Sequence, residues 1–342
     1  MIIANNHYSR KLTIKKNTMT KQFPFIASNR DFSIPKVEDD HQSVLTNGDL
    51  SYFNYTKNED SPYAISAYPT WISQVLANES PRVMIFIHGY YNKWCNVTDI
   101  SQQGLAGMVT NFYGIPLVQL SNHLPPHFEP PNTQQISTPY SGSIILFDWP
   151  SFFEIDKKHP KLSYNNAKEN ARKTAKYSMG ALSTLIDTIN KSGKKVDIVC
   201  HSMGNYVFQQ GAETGKITKG SISTCHLNAA AISSDSFVSG STFTNADGII
   251  QSLETADAVK VLWSPKDDAL PAAELIDPWG KLFPSGPGEL GRFGPTNGLE
   301  NVSNKDCSTI GVEKPIGGGA GNIHTSYYYL QETLDLMIAK MS

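Results

Sequence analysis

The sequence predicts an α/β fold in which a mostly parallel central sheet is covered by helices on both faces. Two observations support this class. Short, nearly continuous apolar runs alternate along the chain with helical patterns, as they do in sheets that are buried on both sides. In addition, residues 196–208 read as a strand, a tight turn centred on Ser202 and the start of a helix. That arrangement holds a nucleophilic serine above the end of a parallel sheet.

Five apolar runs are the clearest strands of this sheet. They span residues 83–87, 143–147, 196–200, 225–229 and 259–263. Such runs are typical of strands that are covered on both faces. Two β-like pieces nearer the N-terminus, 23–27 and 50–55, are expected to form an antiparallel edge of the same domain.

Helices are predicted where apolar residues recur at the spacing that places them on one face. One such stripe consists of Leu105, Met108, Val109 and Phe112, and a second consists of Leu182, Leu185, Ile186 and Ile189. The second helix is expected to end at Ser192-Gly193, before the strand that leads to Ser202. A last helix packing on the sheet is marked by Leu330, Leu334, Met337 and Ile338.

The 342 residues are interpreted as one domain, 21–342, preceded by an N-terminal segment, 1–20, that need not be ordered. Two stretches rich in Pro and Gly, 114–142 and 271–297, are predicted to be loop insertions over the site. Loops of that length inside a compact domain are usually functional or disordered. A further segment, 233–257, follows the strand after Ser202 and occupies the place expected of a cap.

The composition argues against several classes of function. The formal net charge is −2 and 18% of the residues are charged, so no basic face for nucleic acid is indicated. No apolar run approaches the roughly 20 residues that span a bilayer. The N-terminus lacks the apolar core of a signal peptide, and a cytoplasmic location is therefore expected. Four widely spaced Cys without a CxxC pair favour reduced thiols.

No metal or organic cofactor is predicted. His123 and His127 are four residues apart, but Pro125 and Pro126 between them exclude a helical pair of metal ligands. No phosphate-binding loop or dinucleotide fingerprint occurs in the sequence.

Ser202 is the predicted nucleophile. Gly204 lets the following helix start close to the strand, and the residue two positions before the serine, here Cys200, must also be slim. The triplet Ser-Met-Gly occurs again at 178–180, but there it lies inside a helical pattern with no strand before it. Ser178 is therefore a weak candidate.

A serine hydroxyl needs a histidine to accept its proton and a carboxylate to orient that histidine. In enzymes that have a serine turn of this kind, the three residues follow in the order Ser, acid, His. Asp267 comes after the next strand but one and is the predicted acid, with Asp268 as the reserve. His324 precedes the last helix and is the predicted base. Three other loop histidines come before the serine: His123, His127 and His159.

Two backbone N–H groups are predicted to bind the oxyanion of a tetrahedral intermediate. One belongs to Met203, directly after the serine, and the other to Tyr90, in the His-Gly loop after the strand 83–87. His88 is expected to brace this loop, and His201 is expected to pack against the sheet.

Aromatic residues just after strands are candidates to line an apolar acyl pocket. Tyr91 and Trp149 are chosen from them as predicted substrate-binding residues.

The chain resembles the α/β-hydrolase superfamily, and within it a bacterial family whose members are largely of unassigned function. The similarity runs from about residue 20 to the C-terminus. Six blocks in the same order carry it: Ile26-Ala27-Ser28-Asn29-Arg30, Phe86-Ile87-His88-Gly89-Tyr90-Tyr91-Asn92, Phe147-Asp148-Trp149-Pro150-Ser151, His201-Ser202-Met203-Gly204-Asn205, Asp267-Asp268-Ala269-Leu270 and His324-Thr325-Ser326-Tyr327-Tyr328. The resemblance implies an α/β-hydrolase fold and a triad of Ser202, Asp267 and His324. Cys200 departs from the pattern, which has Ala or Gly more often.

The sequence therefore predicts a serine hydrolase that cleaves a small-molecule or lipid carboxylic ester through an acyl-enzyme. Two alternatives stay open. One is a binding protein that keeps the fold without turnover, and the other is acyl transfer, or hydrolysis of thioesters or phospholipids, by the same triad. Neither nucleic acid nor an integral membrane segment is expected, and the oligomeric state stays open.

Overall fold

The structure is a computed structural model of the chain. It describes residues 22–32, 48–58, 61–101, 104–114, 139–153, 160–237, 259–267, 269–270, 289–296, 302–309 and 322–341.

A nine-stranded sheet forms the centre of the described residues. Its strands are β1 Phe25–Ser28, β2 Ser51–Tyr55, β3 Tyr63–Ser66, β4 Arg82–Ile87, β5 Ser143–Asp148, β6 Lys195–His201, β7 Thr224–Asn228, β8 Val259–Trp263 and β9 Ser303–Asp306. They are arranged in the order β3-β2-β1-β5-β4-β6-β7-β8-β9. The β1–β2 and β2–β3 pairs are antiparallel and the other pairs are parallel. The five strands predicted from apolar runs are β4 to β8, each within one residue at either end, so the predicted fold class is confirmed.

Helices cover both faces of the sheet. They are α1 Tyr68–Leu76, α2 Trp94–Thr98, α3 Leu105–Val109, α4 Pro160–Tyr177, α5 Met179–Lys191, α6 Met203–Glu213, α7 Leu290–Phe293, α8 Asn322–Ser326 and α9 Gln331–Ile338. Successive side chains of a strand point to opposite faces, and β4 divides accordingly. Its residues Val83, Ile85 and Ile87 pack with α1, α4, α5 and α6, while Met84 and Phe86 pack with α3 and α9.

The N-terminal strands differ from the prediction of an antiparallel edge. β1 pairs antiparallel with β2 on one side but parallel with β5 on the other, so it lies inside the sheet. The edge on this side is β3, and the opposite edge is β9, neither of which was predicted. The sequence of β9, Ser-Asn-Lys-Asp, has no apolar pattern. Such a strand is held by its backbone pairing with β8 rather than by a buried face.

The predicted helices are present with one local change. The second apolar stripe lies on α5, which ends at Lys191 and is followed by Ser192 as its C-cap and by Gly193 at φ +85°. The first stripe is divided between α3 and a 3-10 helix, Thr110–Tyr113, and all four of its apolar residues are buried. Ser178 lies between α4 and α5 with no strand before it, as predicted.

The first Pro/Gly-rich insertion, 114–142, was expected over the site, but its described ends lie elsewhere. Tyr140 N–H donates to Phe112 O at 2.8 Å, and the Tyr140 hydroxyl lies 3.4 Å from Asp197 Oδ2. Asp197 belongs to the first half of β6, so these ends lie towards the amino ends of the strands. Residues 115–138 are outside the described ranges.

The other two loop segments are described only in part. In the second insertion, α7 lies beside the carboxyl ends of β7 and β8: Gly291 N–H donates to Ala230 O at 2.9 Å, and Gly291 O accepts from Ser264 N–H at 3.0 Å. Residues 271–288 and 238–258 are outside the described ranges. None of the helices in the described ranges is long and apolar enough to cross a membrane.

Candidate active site

Ser202 lies in a strained turn between β6 and α6. Its backbone has φ +52° and ψ −123°, a region that non-glycine residues rarely adopt and that is concentrated at functional sites. The turn is held by hydrogen bonds on both sides. Ser202 N–H donates to Asn228 O at 3.1 Å, and Ser202 O accepts from Asn205 N–H at 3.1 Å and from Asn205 Nδ2 at 2.9 Å. Asn205, which the sequence did not single out, is therefore a clamp for the turn.

Two glycines allow the turn to sit close to the neighbouring strand and loop. A Cβ added to Gly204 would lie 2.4 Å from Ile87 O and 2.6 Å from His88 O. A Cβ added to Gly89 would lie 2.8 Å from Ser202 Cβ. All three distances are shorter than those that real Cβ atoms show, so these two positions require glycine if the loop after β4 is to touch the serine turn.

Asp267 and His324 form a buried pair. His324 Nδ1 lies 2.7 Å from Asp267 Oδ2, and the other carboxylate oxygen accepts from the backbone N–H groups of Ala269 at 3.1 Å and Leu270 at 3.3 Å. A carboxylate oxygen can only accept, so Nδ1 carries the ring proton and Nε2 is left as a proton acceptor. This is the tautomer that a general base needs.

The serine and this pair lie at the carboxyl ends of the strands. Ser202 follows β6, Asp267 follows β8, and His324 lies in α8. The ring of His201, which precedes the serine, lies 4.8 Å from the His324 ring. Among the described residues, no hydrogen bond joins Ser202 Oγ to the His324 ring; such bonds are often long until substrate is present.

His201 contacts the His324 segment, a contact that was not predicted. His201 Nε2 lies 3.0 Å from His324 O, so Nε2 carries the proton and donates to that carbonyl. Burial, and next the nearby His324 ring, hold the pKa of His201 well below its ordinary value. His201 is therefore neutral, and it fixes the backbone that carries His324.

Cys200 is a neutral core thiol. It is fully buried, and burial raises its pKa well above the ordinary value. A thiol is reactive as thiolate, so Cys200 does not compete with Ser202 as a nucleophile. Within the described ranges all four cysteines are unpaired, as predicted, and only Cys95 is exposed.

The predicted oxyanion donors lie on the two segments that meet at the serine. Met203 is the first residue of α6, where backbone N–H groups have no acceptor within the helix. Tyr90 follows Gly89, and its hydroxyl lies 2.5 Å from Ser163 Oγ on α4. The next residue, Tyr91, has φ +69° and donates its N–H to Ser151 O at 3.2 Å. The loop is thus fixed to the segment after β5.

A fully buried charge cluster lies under this loop, and the sequence did not reveal it. The Arg30 guanidinium contacts both oxygens of Asp148, with Nε 2.8 Å from Oδ2 and an Nη 2.8 Å from Oδ1. Ser28 Oγ donates to Oδ2 at 2.5 Å, and His88 Nε2 lies 3.0 Å from Oδ1. Burial alone would raise the pKa of Asp148, but the Arg30 charge and the hydrogen bonds from His88 and Arg30 outweigh it and hold that pKa well below its usual range.

The two aromatic residues chosen as substrate contacts have different environments. Trp149 has no exposed surface; its ring is stacked on His88 at 5.7 Å between centroids, and its Nε1 donates to His88 O at 2.8 Å. Trp149 therefore supports the loop from below, which corrects its assignment to the pocket wall. Tyr91 is 43% exposed and packs on Phe152. The reserve acid, Asp268, lies outside the described residues.

Within the described ranges there is no cluster of three or more His, Cys, Asp or Glu that could hold a metal ion.

Comparison with known families identifies a related family. The model of a family described as "Alpha/beta hydrolase of unknown function (DUF900)" matches residues 65–279, which is more than half of the chain. The matched range includes the loop after β4, the serine turn and Asp267, whereas Arg30 and His324 lie outside it. No curated protein gives a significant sequence match.

A search of solved structures returned the phospholipase PlaB from Legionella pneumophila in complex with thio-NAD. The two proteins share 13% sequence identity with a TM-score of 0.26, and the match covers 55% of this chain and 39% of the other. The chain thus spans well under half the length of that protein. A likeness this distant carries no information about activity or ligands.

Proposed function

The chain belongs to a family of α/β hydrolases of unknown function, and on this premise we propose that it is a serine hydrolase that cleaves carboxylic esters. The observation that carries the proposal is the pairing of a strained serine turn with a histidine tautomer suited to a base. Ser202 has φ +52°, and His324 Nδ1 lies 2.7 Å from Asp267 Oδ2. In enzymes with this arrangement, such a turn places the serine at the top of the sheet.

In the first step, Ser202 Oγ attacks the ester carbonyl carbon while its proton passes to His324 Nε2. The carbonyl oxygen becomes an oxyanion, which the N–H groups of Met203 and Tyr90 bind. Asp267 stabilises the resulting imidazolium and keeps its orientation. His324 then gives the proton to the departing alkoxide oxygen, the bond between that oxygen and the carbonyl carbon breaks, and the alcohol leaves an acyl-enzyme on Ser202.

In the second step, water replaces the alcohol. His324 Nε2 takes one proton from the water, and the hydroxide oxygen bonds to the acyl carbon to form a second tetrahedral intermediate. Collapse of this intermediate breaks the bond to Ser202 Oγ, which recovers its proton from His324. The carboxylic acid is released and the enzyme returns to its starting state. The exposed Tyr91 is the proposed contact for the acyl or alcohol group.

A series of p-nitrophenyl esters of increasing acyl length tests this proposal. Wild-type protein is expected to hydrolyse part of the series, and Ser202→Ala is expected to lose at least about 10³-fold in kcat. Ser178→Ala, in the other Ser-Met-Gly triplet, is the matched control and should keep wild-type activity. Equal activity of wild type and Ser202→Ala would contradict the proposal.

A further inference from the structure

We propose that the buried cluster of Arg30, Asp148 and His88 positions the peptide between Gly89 and Tyr90 so that its N–H points at the oxyanion. The three side chains have no exposed surface, and we call them the brace cluster. The inference rests on the proposed function, since it assigns the cluster a role in stabilising the tetrahedral intermediate.

The carbonyl of this peptide is held by two donors. His88 Nδ1 lies 2.8 Å from Gly89 O, and Asn92 Nδ2 donates to the same oxygen at 3.1 Å. The described residues contain no cis peptide bond. In a trans peptide the N–H points away from the C=O, so fixing Gly89 O fixes the direction of Tyr90 N–H.

The peptide lies beside the nucleophile. The α-carbon of Gly89 is so close to the serine turn that a Cβ there would lie 2.8 Å from Ser202 Cβ and 3.2 Å from His201 Nδ1. The carbonyl side is occupied by His88 and Asn92. The opposite side, which carries the N–H, is the side we assign to the oxyanion.

The His88 ring has several contacts that set its orientation. Nε2 lies 3.0 Å from Asp148 Oδ1, and the ring stacks on the Trp149 indole. Because Gly89 O can only accept, Nδ1 carries a proton and donates. Rotating the ring would break these contacts together, so the donor to Gly89 O is held in place before substrate binds.

Arg30 anchors the far end of the cluster and joins two loops. Besides the Asp148 carboxylate, its Nη donates to Asn92 O at 2.9 Å, in the loop after β4, and to Trp149 O at 3.1 Å, in the segment after β5. Pre-oriented donors of this kind need no reorganisation when charge develops in the transition state. The need to orient these donors explains why the protein keeps the Arg30–Asp148 ion pair in its interior, away from water.

The test is made at His88, because removing Arg30 or Asp148 would leave a buried charge unpaired, which strongly destabilises the folded protein. In His88→Gln, the amide nitrogen replaces Nε2 and keeps the contact with Asp148 but loses the donor to Gly89 O. In His88→Asn, the amide nitrogen replaces Nδ1 and keeps that donor.

Two further variants complete the set. Asn92→Ala removes the second donor to Gly89 O from a partly exposed position. Tyr140→Phe is the control, because it alters a buried polar contact remote from the site.

Steady-state hydrolysis of p-nitrophenyl butyrate, with the melting temperature of each variant, gives the readout. His88→Gln should lower kcat by roughly 10- to 100-fold with little change in KM, since oxyanion donors act on the transition state. His88→Asn should keep kcat at least about tenfold above His88→Gln. Asn92→Ala should lower kcat at unchanged KM, and Tyr140→Phe should match wild type.

Three results would overturn the inference: equal kcat in the two His88 variants, a change in KM instead of kcat, or wild-type kcat in Asn92→Ala. The last decides the matter even if the His88 variants do not fold. A wild-type protein that hydrolyses no ester would overturn the proposed function and this inference with it. Active wild type together with any of the three results overturns the inference alone.

Discussion

At the residue scale, the proposed chemistry depends on which ring nitrogen of each histidine carries a proton. His324 Nδ1 faces a carboxylate and His201 Nε2 faces a carbonyl, so each ring has one nitrogen that donates. The two histidines have different roles because they contact different groups. His324 is oriented as a base, whereas His201 is held neutral by burial and ties down the segment that carries His324.

The carboxylate of Asp267 is expected to be essential for the tautomer of His324. In Asp267→Asn, the amide can donate to Nδ1, which moves the ring proton to Nε2 and removes the acceptor that Ser202 needs. We expect kcat to fall by about 10³- to 10⁴-fold at pH 7 with a small change in KM. Loss of activity in Asp268→Asn, with full activity in Asp267→Asn, would transfer the acid role to the neighbouring residue.

His201 is expected to act through the position of His324. His201→Leu removes the donor to His324 O, and a displaced base should lower kcat by about 10- to 100-fold. His201→Gln places an amide nitrogen near Nε2 and should recover most of the loss. If the two variants have the same kcat, the hydrogen bond to His324 has no positioning role.

The three proposed triad residues could be chosen from the sequence because each follows a recognisable strand or precedes a recognisable helix. The roles of Asn205 and His201 were not predicted, because their partners, Asn228 O and His324 O, lie far away in the sequence. Trp149 was wrongly assigned to the substrate pocket. Its position directly after a strand was predicted correctly, but a position in the sequence does not tell in which direction the side chain points.

At the scale of elements, the serine turn depends on how closely α6 approaches β4. Gly204 in the first turn of α6 lies against the carbonyls of Ile87 and His88. The same triplet, Ser-Met-Gly, recurs at the start of α5, where a Cβ added to Gly180 would have no atom within 4 Å. The two copies therefore differ in packing although their local sequences are identical.

This contrast predicts opposite effects of the same substitution. Gly204→Ala should destabilise the protein by about 1–3 kcal/mol, because the new methyl group forces backbone shifts. Gly180→Ala should be neutral or stabilising by up to about 1 kcal/mol, because alanine favours the helix. Urea unfolding of the two variants beside wild type measures both. A neutral Gly204→Ala would mean that α6 can move away from β4 without cost.

The limits of sequence reasoning at this scale follow from what stabilises each element. β4 to β8 have buried apolar side chains, and the apolar runs located them within one residue. β3 and β9 lie at the edges and are held by backbone pairing. Backbone pairing requires no particular side chains, so these two strands could not be located from residue types. The insertion of β1 between β2 and β5 creates the Arg30–Asp148 pair across 118 residues, and no local pattern predicts such a contact.

At the scale of the whole molecule, the part of the sheet that the structure describes carries a buried imidazole without a hydrogen-bond partner. His226 on β7 is fully buried, and within the described residues neither of its ring nitrogens has a hydrogen-bond partner. Burial, and next the charge of Lys260, lower the pKa of His226 to about 3 from 6.5. The folded protein therefore excludes a proton that the unfolded chain binds.

Because the pKa of His226 is lower in the folded protein, the unfolding free energy decreases as the pH falls below 6.5. The contribution of His226 is complete above pH 6.5, where both states are neutral, and it is lost progressively as pH falls towards about 3. For one proton, the unfolding free energy changes with pH by up to about 1.4 kcal/mol per pH unit. His226→Leu should flatten the dependence of the unfolding free energy on pH between these limits, while values at pH 8 report packing alone. An unchanged slope in His226→Leu would mean that other groups, such as His201, account for all of it.

The central claim is that Ser202 is the nucleophile of a serine hydrolase, and covalent labelling tests it most directly. Wild type, Ser202→Ala and Ser178→Ala are treated with a fluorophosphonate probe, and the modified peptide is identified by mass spectrometry. We expect one adduct, on Ser202, in wild type and in Ser178→Ala, and none in Ser202→Ala. An adduct on another residue, or equal labelling of Ser202→Ala, would contradict the claim.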